Sequence, residues 1–118
     1  YMTKTFLICP VRGYEQTEVE EIVSVLELQK YTVYYPARDT NQTDDTGFRI
    51  CCDNRQAISE ADVVHFIWDG KSQGCLFDLG MAFALGKKVI PVSIPEPTNG
   101  KSFQNMVTAW SRLGNNYP

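Results

Sequence analysis

Apolar residues along this chain fall into short runs parted by polar, turn-forming stretches, and between those runs they recur at helical spacing. Residues 4–9 (KTFLIC) form a β-type run closed by Pro10, and a glycine-containing loop follows over residues 11–15. Thr17 and Glu20 stand at capping-box spacing among Val19, Ile22, Val23 and Leu26, which predicts a first helix reaching Lys30. Residues 31–35 (YTVYY) predict a second strand, stopped by Pro36. The polar stretch 37–45 is expected to be a loop long enough to have a function. A second helix is expected from Asp45 or Thr46 to Glu60, with Ile50, Ala57, Ile58 and Ala61 facing inward.

Residues 62–68 (DVVHFIW) predict a third strand, interrupted only by His65, which is expected to be a hydrogen-bonded core residue. A polar loop, 69–74, feeds a helix over 75–85, closed by Gly86 as a left-handed cap. Lys87 and Lys88 suit the electronegative end of that helix. Residues 89–94 (VIPVSI) predict a fourth strand, and Pro91, which cannot donate to a ladder, points to an edge position. A last helix is expected over 102–113, ended by Gly114.

Strands alternate with helices, and the last two strands are almost continuously apolar, as burial on both sheet faces demands. The expected fold is α/β: a doubly wound, mainly parallel sheet of four to five strands with helices on both faces, Rossmann- or flavodoxin-like. A length of 118 residues suits one domain, expected over 2–118 with Met2 as the natural start. In such sheets ligands bind beyond the carboxyl ends of the strands, which selects the loops 10–15, 36–45, 69–74 and 95–101. They carry Arg12, Gly13, Arg38, Asp39, Asp69, Lys71, Ser72 and Gly74.

Composition narrows the classes of function. With 43% hydrophobic and 21% charged residues the chain reads as an ordinary globular protein. A net charge of −3 without a basic cluster argues against a nucleic-acid partner. The longest apolar run is too short for a membrane span, and no signal-peptide pattern opens the chain, so a cytoplasmic protein is expected. Cys9, Cys51, Cys52 and Cys75 form no C-x-x-C pair and are expected to be free thiols. With one histidine and scattered cysteines, neither a metal nor a cofactor is expected.

The helix CLFDLGMAFALG is apolar nearly all round, which predicts burial on several sides, yet it carries Asp78 in its expected first turn. The plain explanation is complementation of the helix dipole. The functional one is a carboxylate at the mouth of a ligand cleft, and it is the stronger of the two. Gly80, Ala82 and Ala84 are expected to pack closely on the sheet. Gly74 and Ser72 lie where an anion could meet the helix amino terminus, although a polar turn accounts for them equally well. Arg12-Gly13 offers a guanidinium fork and a close backbone approach for phosphate oxygens, against the alternative of a solvated surface arginine. Cys75 near a helix start lacks a paired base, which makes a thiol mechanism a poor candidate.

The segment 58–92 (ISEADVVHFIWDGKSQGCLFDLGMAFALGKKVIPV) resembles the signature of the nucleoside 2-deoxyribosyltransferase-like family. The matching steps are Phe77-Asp78-Leu79-Gly80 and Gly86-Lys87-Lys88-Val89. Val11-Arg12-Gly13 after the first strand, and Ser72 six residues before Asp78, are most similar to the branch that hydrolyses nucleoside 5′-monophosphates. The resemblance implies a small α/β domain that cleaves or exchanges N-glycosidic bonds through a carboxylate nucleophile, with a second carboxylate assisting the departing base. The implied substrate-binding set is Pro10, Val11, Arg12, Gly13, Asp69, Ser72 and Gly74. In a homodimer, Gln104 and Asn105 of the last helix would complete the neighbouring site.

Two positions depart from the family pattern. The nucleophile position is Asp78, one methylene shorter than the family's glutamate, and the assisting position is Asn54, which cannot exchange a proton as a carboxyl does. Three functions stay open on the sequence: an N-glycosidase acting on a nucleoside 5′-monophosphate, a nucleotide-binding module without chemistry, and a glycohydrolase of a dinucleotide with loop 37–45 as a lid.

Overall fold

The computed structural model describes residues 2–12 and 16–114. Four parallel strands, β1 (Thr3–Ile8), β2 (Tyr31–Tyr34), β3 (Val63–Ile67) and β4 (Lys88–Ser93), form one sheet in the order β2-β1-β3-β4. Helices α1 (Gln16–Leu28), α2 (Pro36–Asp39), α3 (Phe48–Glu60), α4 (Gln73–Ala84) and α5 (Phe103–Leu113) connect and cover them. The doubly wound parallel fold expected from the sequence is present, with four strands. No helix among the described residues is long and apolar enough to cross a membrane.

The two sheet faces are covered unequally. Phe6, Ile8, Val64, Phe66 and Val89 on one face meet Ile58 of α3, Leu79 and Ala82 of α4, and Val107 and Trp110 of α5. Leu7, Val33 and Ile67 on the other meet Val19, Val23 and Leu26 of α1, the one helix in that cluster among the described residues. The alternation within β1 follows from the period of two along a strand, which sends successive side chains to opposite faces.

Local chemistry explains where elements stop. β4 is an edge strand, as Pro91 implied, and its pairing with β3 shifts register at Phe66/Ile67, opposite the proline that brings no N–H. Gly86 ends α4 at φ 68°, in the left-handed region its cap role requires. Lys87 serves a different helix from the one expected: its Nζ donates to the carbonyls of Ser59 and Ala61 at 2.9 and 2.8 Å, closing the end of α3.

Several expectations need correction. Helix α1 begins at Gln16, ahead of the expected Thr17 cap. The stretch after Pro36 is not all loop, since α2 gives it one helical turn. Helix α3 starts at Phe48, because Asp44 and Thr46 first build a turn: the Asp44 carboxylate accepts from Ile50 N at 3.2 Å and Thr46 Oγ1 from Phe48 N at 3.3 Å. Its buried positions are Asn54 and Ile58, with Ile50 and Ala57 only partly covered. Helix α4 is not buried on several sides, since Phe77, Phe83, Gly80 and Ala84 face outward and Ala82 alone of the three small residues packs inside.

His65 is the buried polar residue of β3, as expected. Its Nδ1 lies 2.6 Å from Thr5 Oγ1 on β1, and burial holds its imidazole below the ordinary value. Replacing Thr5 by valine leaves a buried ring nitrogen without its partner, a loss of about 1–3 kcal/mol. Urea denaturation of Thr5→Val at neutral pH is therefore expected to show a lowered midpoint with an unchanged slope.

Candidate functional site

The sheet order reverses direction between β1 and β3, and the loops leaving these two strands part at that point to open a crevice. A pocket of about 560 Å³ occupies it. Cys9, Val11 and Arg12 line it from the end of β1, Pro36 and Gln42 from the segment after β2, and Ile50, Cys51 and Asn54 from α3. Asp69, Lys71 and Ser72 close it from the loop after β3, with Gly74, Cys75, Phe77 and Asp78 from α4. This volume lies within the range that takes a small-molecule ligand.

The loop after β3 is shaped by its own carboxylate. Asp69 Oδ1 accepts from Lys71 N at 2.9 Å and Ser72 N at 2.8 Å. Partial burial pushes the Asp69 carboxyl up, but these amide donors outweigh it and hold the group below its ordinary value. Gly70 sits at φ 80° with Pro95 Cγ 3.1 Å from where a Cβ would lie, so the turn needs a glycine here. Ser72 then caps α4, its hydroxyl accepting from Cys75 N at 3.3 Å. Helix α4 therefore starts two residues earlier than expected, and Gly74 belongs to its first turn.

That shift decides the status of Asp78. No acidic residue stands in the first turn of α4, and the helix dipole acts within that turn, so dipole complementation does not account for Asp78. Asp78 instead lines the pocket, where burial pushes its carboxyl up to about 7 against a partial offset from a hydrogen bond with Asn54. Asn54 is itself 5% exposed. The neighbouring Asp53 faces elsewhere and pairs with Arg49 at 3.9 Å.

The thiols around Asp78 escaped the sequence reading. Burial pushes Cys9 up to about 12 and Cys75 up to about 11, and it also raises Cys51. They are neutral walls, which removes Cys75 as a thiolate nucleophile. Lys71 was legible as a loop residue but not as a pocket residue. With Arg12 it places two exposed cations on the pocket lining, one from the loop after β1 and one from the loop after β3.

The remaining expected site residues are more dispersed. Pro10 is buried and does not line the pocket, its carbonyl accepting from Gln16 Nε2 at 3.4 Å. Gly13 lies outside the described residues. Gln104 and Asn105 do not line their own chain's pocket: Gln104 Nε2 donates to Glu96 O, and the Asn105 amide donates to Thr98 O and Gly100 O, bracing the segment that precedes α5.

Comparison with known proteins fits this geometry. The profile of the nucleoside 2-deoxyribosyltransferase family matches residues 6–107. The chain belongs to that family. A 2-deoxyribosyltransferase from Bacillus psychrosaccharolyticus is similar in structure, with a TM-score of 0.71 and 25% identity over 98% of this chain and 93% of that one. The Clostridium botulinum CMP N-glycosidase BcmB shares the fold, with a TM-score of 0.57 and 24% identity over 75% of this chain and 70% of that one. No curated protein matches significantly in sequence. The family match supports nucleoside glycosyl transfer as the general class of chemistry, and the likeness to the CMP N-glycosidase shows the shared fold.

A raised carboxyl has a sign that stability reads directly. Asp78 binds its proton more tightly folded than unfolded, so its contribution is fully favourable below its ordinary value of 3.8 and is lost as pH rises through about 7. Asp78→Asn removes the buried charge while keeping the shape. At pH 8 the variant is expected to be more stable than the native chain by about 1–2 kcal/mol, allowing for solvent on the pocket side. Chemical denaturation at pH 4 and pH 8 checks this, because the gain should shrink at the lower pH.

Proposed function

We propose that this protein is an N-glycosidase that hydrolyses a nucleoside 5′-monophosphate, with Asp78 as the nucleophile. The observation that carries the reading is the position of the Asp78 carboxylate, partly buried in a pocket whose lining also holds Arg12 and Lys71. A cationic rim and a buried carboxylate are the two ends a sugar phosphate needs. The phosphate would be held by Arg12, Lys71, Ser72 and the backbone around Gly13 and Gly74, with Asp69 shaping the loop that presents them.

In the first step a carboxylate oxygen of Asp78 bonds to the anomeric carbon as the N-glycosidic bond breaks. The base leaves with the electron pair and takes a proton from solvent, since Asn54 has none to give. Water then bonds to the anomeric carbon and gives its proton to solvent, the ester bond breaks with its electron pair returning to the Asp78 carboxylate, and free sugar phosphate departs. An aspartate reaches about 1.5 Å less far than a glutamate. The sugar must therefore lie that much closer to α4, and the neutral, compact Cys9 and Cys51 thiols leave space for it.

A panel of ribo- and deoxyribonucleoside 5′-monophosphates, beginning with CMP, tests the reading by chromatographic detection of free base. Release is expected to rise with pH through about 7, as Asp78 ionises, and to fall about 10³-fold or more in Asp78→Asn. If the native chain releases no base while Asp78→Glu does, it is not a hydrolase. The same substitution pattern supports a second reading, a nucleotide-binding module without chemistry, because Asn54 stands where proton transfer would be needed. That reading requires the melting temperature to rise with added monophosphate in the absence of release.

We also propose that the protein works as a homodimer. Phe77 on α4 is 57% exposed and belongs to the pocket wall, so a second copy over that face would cover its ring and the pocket's open side. Gln104 and Asn105 of the partner are then available to the site. Sedimentation is expected to give twice the chain mass, and a monomer at micromolar concentration would remove this part of the proposal.

A further inference from the structure

Thr40 follows α2 and is 5% exposed, an unusual position for a polar residue just beyond one helical turn. Its hydroxyl donates to Asn54 Oδ1 at 2.7 Å and lies 2.5 Å from the hydroxyl of Tyr34. Each hydroxyl has one proton. Because the Thr40 proton is committed to Asn54, the shared bond with Tyr34 must run from Tyr34 to Thr40. The carbonyl end of Asn54 is thereby occupied, which leaves its NH2 end for the pocket wall that Asn54 on α3 shares with Asp78 on the adjoining α4.

We propose that Thr40 and Tyr34 are positioning residues for Asp78, forming with Asn54 a one-way hydrogen-bond relay from β2 through α2 and α3 that fixes a donor against the carboxylate. This rests on the reading of Asp78 as the acting carboxylate. Without the relay the Asn54 carboxamide could turn over and present oxygen instead, which favours a protonated carboxyl.

The surroundings give this relay its weight. Asp78 is faced by Cys9 at the end of β1, Cys51 on α3 and Cys75 on its own helix, while Asp69 and the cations Arg12 and Lys71 lie on the pocket lining. The three thiols are neutral near pH 7 and supply no countercharge. Asn54 is the group that offsets burial.

Every link is held from behind. The Tyr34 ring stacks on Phe6 at 5.3 Å. Thr40 N donates to Pro36 O at 3.1 Å, tying it to α2. Helix α2 is anchored by Arg38, whose guanidinium donates to Val33 O at 2.6 Å and to the Asp39 carboxylate at 2.8 and 2.9 Å, and by Asp39 Oδ2, which accepts from Tyr35 N at 3.0 Å.

Thr40→Val keeps the shape and removes the donor, Thr40→Ser keeps the donor, and Tyr34→Phe removes only the distal hydroxyl. Two readouts apply to the folded full chain: the Asp78 carboxyl titration followed by carbon NMR, and the acid limb of the rate profile for the monophosphate that the native chain turns over. Thr40→Val is expected to move both upward by about half a pH unit or more. Tyr34→Phe should move them in the same direction by less, and Thr40→Ser should leave them near the native values, with KM little changed throughout. Unchanged titrations in Thr40→Val and Tyr34→Phe would overturn the relay. So would a shift in Thr40→Ser as large as in Thr40→Val. If Thr40→Val does not fold, an unmoved Tyr34→Phe titration suffices to overturn it. The NMR titration keeps this test separate from the proposed function, since it reads Asp78 even where no base is released.

Discussion

A carboxyl group on the wall of an apolar crevice is the constraint on which the rest of this site depends. Burial makes the charged form of Asp78 costly, and Asn54 returns part of that cost with one donor. Together they leave the group near half-ionised at neutral pH, where a carboxylate keeps more nucleophilic power than one of ordinary acidity. Less burial would yield an unremarkable surface aspartate. More, without Asn54, would yield a group protonated throughout the physiological range.

The parallel sheet creates the opening and the helices set its chemistry. The crevice exists because α1 and α4, following neighbouring strands β1 and β3, pack on opposite faces of the sheet. The floor is rigid, since Ile8, Ile67 and Leu79 beneath it are almost fully buried. The rim is polar backbone held by side chains: Asp69 shapes one side, while Arg38 and Asp39 hold α2 on another. Arg38 also covers a carbonyl of the edge strand β2, so a single residue limits edge pairing and steadies the segment that carries Thr40.

What the sequence made legible was what periodicity and turn chemistry encode locally. Four apolar runs gave the strands, Pro91 gave the edge, and His65 read correctly as core. The family signature over residues 58–92 pointed to Asp78, which lines the pocket. What stayed hidden depended on contacts distant in sequence. Lys87 follows one helix and caps another, and Cys9, Cys51 and Cys75 come together from three elements. Helix α4 was read as buried all round because apolar composition does not say which apolar faces find a partner. Thr40 lay in a stretch rich in turn formers, where one more threonine carries no signal; what distinguishes it is its hydrogen bond to Asn54 of α3.

The pairing of Asp78 with Asn54 constrains the chemistry in a way that two carboxylates would not. With a second acid next to it, the nucleophile would share a proton, and one of the two would stay neutral to serve the leaving base. An asparagine whose oxygen is already occupied can only donate, so it favours the ionised form of Asp78, and under the proposed mechanism it offers the departing base no proton. Departure then depends on how well the base leaves as an anion or takes a proton from solvent through the open side of the pocket. A base that protonates readily before cleavage suits such a site better than one that does not. Under the proposed mechanism Asn54 therefore bears on substrate choice as much as on rate, and it ties the identity of the base to the direction of a single amide.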